Sequence, residues 1–356
     1  MRKTVACNID AGGYKREPST DQLPHLTPCG QLKMKNAGDY HYLIIGGTTK
    51  AATTSLFTYL ADHPAISAAT YKETRFFLSS DYPLPSKYRY KGDVEEYNFL
   101  FFDADETQLR MESTPDYLYC QKARERIATS LPYAKLAFSL REPISRLISW
   151  YRFARQIGKL PQTLSFDAYV ESLFSEACQD CGTSKVANRY EAEEEQHLQT
   201  LQQGCYTIYL ECYFNQFGPE RIHTLFYEEL TAQPIDTMEK LCDFAGIDAG
   251  FYANYAFKVT NRTQQMRNSG LHRKYRDFRF RLRQWTHNKP VIHNPLRSIR
   301  RTIEPLYLRL NTRTDEKTQM SEETRHRLID YYMPDVQALG ELIGKPIPWK
   351  VFEKSS

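Results

Sequence analysis

One cation and a row of hydroxyl side chains stand where an apolar run gives way to a helical pattern. The stretch YLIIGGTTKAATTSLFTYLADHP, residues 42–64, holds Lys50 followed by Thr53, Thr54 and Ser55. The first N–H groups of a helix lack partners within the helix, and the helix dipole favours negative charge there. Lys50 would add a point charge, and the hydroxyl groups would add hydrogen-bond donors. The pattern predicts a site for a phosphate or sulfate group.

The spacing differs from that of the common nucleotide-binding loops. Gly46 and Gly47 break the apolar run, but neither adjoins Lys50, whereas nucleoside triphosphatases place a glycine directly before the lysine. The G-x-G-x-x-G pattern of dinucleotide-binding folds is absent as well. A kinase-like phosphoryl transferase would need Mg²⁺ and an acidic ligand for it, and no Walker-type aspartate strand stands out. The loop therefore indicates an anion, bound by less usual chemistry.

A second strand-to-helix junction, FSLREPISRLISWY at residues 138–151, repeats the arrangement. Arg141 stands at the carboxyl end of an apolar run, and Ser145 and Ser149 lie one turn apart on the helix that follows. Arginine offers a forked donor for phosphate, and Ser149 can add a hydroxyl bond. An arginine at a strand end is more commonly half of a salt bridge. The two junctions together predict one ligand with two anionic ends.

Strands and helices alternate along the part of the chain that positions these residues. Apolar runs predict buried strands at 41–47 and 133–140, and the latter is followed by an apolar stripe spaced i, i+3, i+4, i+7 from Ile144 to Tyr151. Pro143 suits the first turn of that helix. Three shorter segments also have strand patterns. One follows residue 64, one follows residue 108, and one precedes residue 227, each near a loop or a helix. The alternation predicts an α/β fold with a parallel, doubly wound sheet.

Composition sets the expected domain organisation and partners. We expect a flexible N-terminal tail at 1–38 and a single domain at 39–356, with a helical insertion at about 156–203 and a basic helical part at about 267–356. Residues 267–313 hold 13 Lys and Arg against two Asp and Glu. That stretch could meet a polyanion, but a solvated amphipathic extension is the commoner explanation. With a net charge of +4, we expect no nucleic-acid partner.

The chain is expected to be cytoplasmic and to hold no zinc. It has no run near the about 20 apolar residues of a membrane span and no apolar signal core after its basic start, so no stable membrane insertion is expected. Cys178 and Cys181 form the one CxxC pair, and no second pair lies near them. We interpret the eight cysteines as free thiols in a reducing compartment rather than as a zinc site.

Four segments of the chain resemble the sulfotransferases that use 3′-phosphoadenosine-5′-phosphosulfate (PAPS), and they occur in the same order as in that family. KAATTSLFTYLADHP is similar to the 5′-phosphosulfate loop of the bacterial and heparan-type branch, and LREPISRLISWY to its 3′-phosphate motif. YKETRFF, residues 71–77, resembles a K-E-x-x-F-F segment, and residues 204–230 resemble a later helix–strand unit. The resemblance covers roughly residues 40–270. It implies a P-loop-like three-layer sandwich with a central parallel sheet flanked by helices.

The resemblance also implies roles for individual residues. A sulfuryl group would pass in line from PAPS to a hydroxyl or amine, with Lys50 stabilising the leaving group, Glu73 acting as base, and no metal required. The residues implied in holding the nucleotide are Thr49, Lys50, Ala51, Ala52, Thr53, Thr54, Arg141, Ser149, Tyr206, Asn261, Arg262 and Arg267. Those implied in holding the acceptor are Lys72, Ser113 and Tyr117. Ala52 replaces the usual glycine of the loop, so a methyl group would crowd phosphate unless Ala52 adopts suitable backbone angles.

The expected acceptor is a cytosolic small molecule, as in natural-product tailoring, with an alkaloid as one candidate. Ser113 stands where heparan-type enzymes often carry a lysine, which argues against a sulfated glycan. Aromatic residues that could wall an organic substrate are Tyr82, Tyr88, Tyr90, Tyr97 and Phe99. The alternatives are a glycan or lipid acceptor and, in another class, a nucleotide-binding module without catalysis. A homodimer is considered as well.

Overall fold

A parallel sheet of five strands organises the first of the two units into which the chain divides. The computed structural model describes residues 37–79, 86, 88–101, 108–179, 199–258, 265–266, 312–313 and 318–353. One unit comprises residues 1–146, 179–261 and 329–356, and the other comprises 147–178 and 262–328. The expected sequence boundaries of tail, insertion and basic part stay predictions. Most of the tail, residues 180–198 and the basic stretch 267–311 lie outside the described residues.

The sheet has the order β2-β3-β1-β4-β5 and its neighbouring strands are all parallel. Its strands are β1 Tyr42–Gly47, β2 Ile66–Ala68, β3 Leu109–Ser113, β4 Ala134–Leu140 and β5 Ile222–Phe226. β1 is buried along its whole length, which explains its unbroken apolar run. β2 and β3 lie on one side of β1, while β4 and β5 lie on the other. Such a reversal opens a crevice at the carboxyl ends of β1 and β4.

Helices cover both faces of this sheet. The helices of the first unit are α1 Thr53–Ala61, α2 Glu95–Asn98, α3 Gln121–Ser130, α6 Thr207–Phe217, α7 Tyr227–Ala232 and α8 Pro234–Ala245. Ala137 of β4 joins a core with Leu56 of α1 and Leu241 of α8. Its neighbour Phe138 faces the other way, with its ring 4.8 Å from that of Tyr213 in α6. The predicted three-layer α/β class is confirmed.

Two long helices contribute residues to both units, namely α4 Pro143–Gln156 and α9 Glu322–Ile343. α4 begins at the predicted Pro143. Within the second unit, the ring of Tyr151 lies 5.3 Å from that of Phe166 at the start of α5, Phe166–Gln179. A short antiparallel pair, which the sequence did not suggest, completes the described part of that unit: β6 Gln265–Met266 and β7 Thr312–Arg313.

Gly46 and Gly47 lie inside β1, within the strand that the sequence predicts at 41–47. A Cβ at Gly46 would lie 2.7 Å from Cε1 of Phe138, and one at Gly47 would lie 2.8 Å from Cβ of Leu118. Real Cβ atoms do not approach other atoms so closely, so these positions accept no side chain without rearrangement. The glycines therefore serve the packing of β1 against its neighbours, and the loop begins after them.

Candidate active site

The loop between β1 and α1 is held by the end of β4. The N–H of Thr48 donates to the carbonyl of Ser139 at 2.7 Å, and the buried hydroxyl of Ser139 donates to the carbonyl of Ala51 at 2.6 Å. Nη1 of Arg141 donates to the carbonyl of Lys50 at 3.0 Å. Three hydrogen bonds thus fix the loop before any ligand arrives. They also bring the two predicted strand-to-helix junctions together.

The N-terminus of α1 has the features of an anion site. The first intrahelical bond runs from the N–H of Leu56 to the carbonyl of Ala52 at 3.0 Å, and no side chain among the described residues caps this end. The first N–H groups, from Thr53 on, are therefore not used by a cap. Ala52 has φ 58° and ψ 20°, the left-handed conformation that glycine favours. It therefore adopts the backbone that a glycine would supply there.

Lys50 lies in the same loop, and its φ is also positive, at 70°. Burial and the charges of Arg141 and Lys72 together lower the pKa of Lys50 to about 8, although Glu73 opposes the shift. These interactions place Glu73 and three cationic groups in one electrostatic neighbourhood. An incoming anion would offset the repulsion between the cations and restore the proton on Lys50.

Arg141 extends from the carboxyl end of β4. Its guanidinium lies over the ring of Tyr227, 4.2 Å from the centroid, and its buried Nε has no hydrogen-bond partner among the described residues. A buried donor without a partner is costly, and an anion would satisfy it. Arg141 therefore fits the predicted binding of a phosphate.

The N-terminus of α4 is not a second anion site. The carboxylate of Glu142 accepts the N–H of Ile144 at 2.7 Å and that of Ser145 at 2.9 Å. Burial raises the pKa of this carboxyl, although the hydrogen bonds from Ser145 and Ile144 oppose the shift. The interpretation that this junction repeats the anion site of the first is therefore wrong for the helix end, because a carboxylate already caps the helix. Ser149 lies further along α4, in the second unit, and its role stays a prediction.

Glu73 lies beside the end of β3, with its N–H donating to the carbonyl of Ser113 at 2.8 Å. Its carboxylate pairs with Nζ of Lys72 at 2.9 Å and with Nη2 of Arg75 at 2.5 Å. Burial alone would raise the pKa of Glu73, but Lys72 and Arg75 prevail and lower it to about 2. In the ligand-free protein Glu73 is therefore a weak base.

A buried carboxylate, Glu112, organises the loop that carries Glu73. It accepts hydrogen bonds from Thr74 at 2.6 Å, Thr114 at 2.9 Å, Tyr117 at 2.8 Å and Tyr97 at 3.0 Å. Burial raises the pKa of Glu112, and the four hydrogen bonds oppose that rise in part. Apolar and aromatic neighbours surround this cluster, and no sequence spacing links residue 74 to residue 112.

Two of the three residues predicted to hold the acceptor, and one of the aromatic residues that could wall it, are not open to it. Tyr117 and Tyr97 are fully buried with their hydroxyls on Glu112, and Ser113 is fully buried as well. The prediction is wrong for these side chains because each belongs to the core under the loop. Lys72, at 8% exposure of its side chain, instead contacts Glu73 at the surface of that core.

Tyr206 supports Arg141 instead of extending to the surface. It is fully buried, and its hydroxyl donates to the carbonyl of Arg141 at 2.7 Å. A direct contact with the nucleotide, as predicted, is therefore replaced by an indirect role. Asn261, Arg262 and Arg267 lie outside the described residues, so their predicted roles are untested.

The comparison with known proteins decides the family. The family described as "Sulfotransferase domain" matches residues 43–288. The chain belongs to the sulfotransferase family. The predicted resemblance is thereby confirmed, and it rests on more than two thirds of the sequence.

Relatives of this chain include two mouse enzymes. It is 25% identical over 259 residues to bifunctional heparan sulfate N-deacetylase/N-sulfotransferase 4, a match covering 69% of this chain and 25% of the relative. It is 26% identical over 249 residues to heparan sulfate glucosamine 3-O-sulfotransferase 3A1, covering 68% of this chain and 55% of the relative. The chain thus spans about a quarter to about half of the length of these relatives.

A solved sulfotransferase from Alicyclobacillus acidocaldarius shares the fold. The two align with a TM-score of 0.56 and 20% identity, over 86% of this chain and 96% of the other.

Among the helices that the structure describes, none combines the length and apolar character needed to cross a bilayer. Within the same residues, no three His, Cys, Asp or Glu side chains are grouped to hold a metal ion.

Proposed function

We propose that this sulfotransferase moves a sulfuryl group from PAPS to a hydroxyl or amine and releases adenosine 3′,5′-bisphosphate (PAP). The supporting observation is the hydrogen bond from Arg141 to the carbonyl of Lys50. It joins an uncapped helix end, suited to the 5′-phosphosulfate, to a guanidinium with an unsatisfied Nε, suited to the 3′-phosphate. One adenosine with phosphates at both ends matches this pair of features.

Lys50 is the proposed electrostatic catalyst. Negative charge develops on the bridging oxygen as the bond to sulfur breaks, and a fixed cation lowers that barrier most in a site from which water is excluded. Lys50 is partly buried and already feels the repulsion of Arg141 and Lys72. The dianionic end of the donor would relieve this repulsion and fix the protonated form.

Glu73 remains the proposed base, subject to a condition that its ion pairs impose. A carboxylate with a pKa of about 2 accepts a proton poorly. The sulfuryl oxygens of the donor would compete with Glu73 for Lys72, whose Nζ now lies 2.9 Å from its carboxylate. Loss of that partner would raise the pKa of Glu73 once the donor is bound. The base would then strengthen only in the productive complex.

The acceptor proposed first is a small organic molecule. Phe99 is 53% exposed and its ring lies 5.8 Å from that of Tyr88, which supplies an apolar contact surface. A glucosamine-containing glycan is the second candidate, because relatives carry names that specify heparan sulfate. A homodimer and a cytoplasmic location are predictions that nothing here tests.

The experiment is a transfer assay with PAPS and a panel of phenols, amines and N-desulfated heparan oligosaccharides, with and without EDTA. We expect PAP release that depends on an acceptor and persists in EDTA. Glu73→Gln should lower kcat by about 100-fold while calorimetry shows unchanged affinity for PAP. PAP binding without any transfer would support the nucleotide-binding module instead, and a requirement for Mg²⁺ and ATP would support a phosphoryl transferase.

A further inference from the structure

The peptide that joins Arg141 to Glu142 is fixed at both of its polar ends. Its carbonyl oxygen accepts from the hydroxyl of Tyr206 at 2.7 Å. Its N–H donates to Oε1 of Glu228 at 3.1 Å. This peptide sets the direction in which the side chain of Arg141 leaves the backbone, so its two partners control where the guanidinium can reach.

Tyr206 is itself held by Asp335 of α9. The N–H of Tyr206 donates to Oδ2 of Asp335 at 2.7 Å, and the N–H of Thr207 donates to Oδ1 at 3.0 Å. The hydroxyl of Thr207 reaches the carbonyl of Asp335 at 2.9 Å. Asp335 therefore caps the start of α6 through both carboxylate oxygens and locks Tyr206 beneath Arg141.

Glu228 is held by Trp349. The indole Nε1 donates to Oε2 of Glu228 at 3.0 Å, which leaves Oε1 for the N–H of Glu142. Trp349 is 2% exposed, and its ring lies 5.4 Å from that of Phe226 at the end of β5. The ring of Tyr206 lies 6.0 Å from that of Trp349, so neighbouring rings restrict the indole and fix the donor direction.

Both outer anchors come from residues 335–349, beyond residue 288, where the family match ends. We propose that Asp335 and Trp349 are positioning residues that orient Arg141 and so set the preference for a nucleotide with a 3′-phosphate. This inference rests on the proposed function. Bidentate contact between arginine and phosphate depends on close alignment, which remote hydrogen bonds can control without touching the ligand.

Trp349→Phe tests the inference, because it removes the indole donor and keeps an aromatic ring at this position, with some loss of packing. We expect the Kd for PAP to rise about fivefold, as for the loss of one hydrogen bond, with the Kd for adenosine 5′-monophosphate unchanged. The KM for PAPS should rise while kcat is retained, because the 3′-phosphate lies away from the reacting sulfur. Calorimetry and steady-state kinetics on the full chain provide these values.

Phe352→Leu is the matched control, since the side chain of Phe352 is buried in the same segment and only its backbone N–H, which the substitution keeps, bonds the carbonyl of Trp349. It should lower the melting temperature and leave the ratio of the two nucleotide affinities unchanged. If Trp349→Phe does not fold, Glu228→Gln carries the test, because an amide cannot accept from both donors through two oxygens. An unchanged ratio in these variants, with a selective wild type, overturns the inference alone. A wild type that fails to prefer PAP overturns the proposed function along with it.

Discussion

Lys50 is the residue at which the electrostatics of the site have the most direct consequence. Burial and the nearby charges of Arg141 and Lys72 hold its pKa at about 8, so the ligand-free protein carries a lysine that titrates close to neutral pH. The protonated form attracts an anionic nucleotide, and the neutral form does not. Binding is therefore coupled to the uptake of a proton whenever the pH exceeds the pKa of the free protein.

This coupling predicts the pH dependence of nucleotide affinity. Below about pH 8 Lys50 is already protonated, and the Kd for PAP should be constant. Above that value the proton must be taken up on binding, so the Kd should rise by up to about tenfold per pH unit. The phosphates add no slope there, because their second ionisation lies near pH 6. Calorimetry from about pH 7 to about pH 9.5 measures this slope.

Lys50→Arg is the control for this prediction. Arginine keeps the positive charge and does not lose its proton in this range, so the variant should bind PAP with an affinity that does not change with pH. A wild-type Kd that stays flat to about pH 9.5, or a variant with the same slope as the wild type, would contradict the assignment of the slope to Lys50.

At the scale of elements, the start of α1 depends on an alanine in a conformation that alanine disfavours. Ala52 has φ 58°, and the left-handed region costs an L-residue about 1–2 kcal/mol. Ala52→Gly should raise the free energy of unfolding by about 1 kcal/mol, since relief of strain exceeds the added chain entropy. PAP affinity should be kept or improved, because a methyl group leaves the loop. Urea denaturation and calorimetry measure the two effects.

Ala51→Gly provides the matched comparison one residue earlier. Ala51 is fully buried and is not among the described non-glycine residues with positive φ. Its replacement should lower the free energy of unfolding by about 1 kcal/mol, because it removes packing and adds chain entropy. Equal losses from both substitutions would mean that Ala52 is not strained.

The elements were predictable from sequence where local signals specify them. Buried parallel strands are continuous apolar runs, so β1 and β4 were found, and Pro143 marked the start of α4. The contacts that hold the loop were not predictable, because Ser139 reaches Ala51 across 88 positions and Tyr206 reaches Arg141 across 65. Such bonds leave no periodic pattern. The cap by Glu142 does have a local signal, a carboxylate just before Pro143.

At the scale of the whole molecule, strand order explains why two separate motifs form one site. β1 and β4 are neighbours in the sheet, although 86 residues separate Gly47 from Ala134 in sequence. The chain leaves β1 toward one edge and β4 toward the other, so their carboxyl ends face a common crevice. The two motifs could be recognised in the sequence, but the burial of Ser113, Tyr117 and Tyr97 depends on the packed core and could not be predicted.

This arrangement predicts where a bound nucleotide protects the backbone. A ligand that binds only the folded protein stabilises it by about 2.7 kcal/mol at about 100 times its Kd, and the protection should be greatest where the ligand restrains the chain. Hydrogen exchange measured by mass spectrometry should show slower exchange with PAP at residues 48–55 and at residues 139–146. Adenosine 5′-monophosphate at matched saturation should protect the first segment alone, because it lacks the phosphate assigned to Arg141. Equal protection of both segments by the two nucleotides would contradict that assignment, and protection of neither by PAP would contradict binding in this crevice.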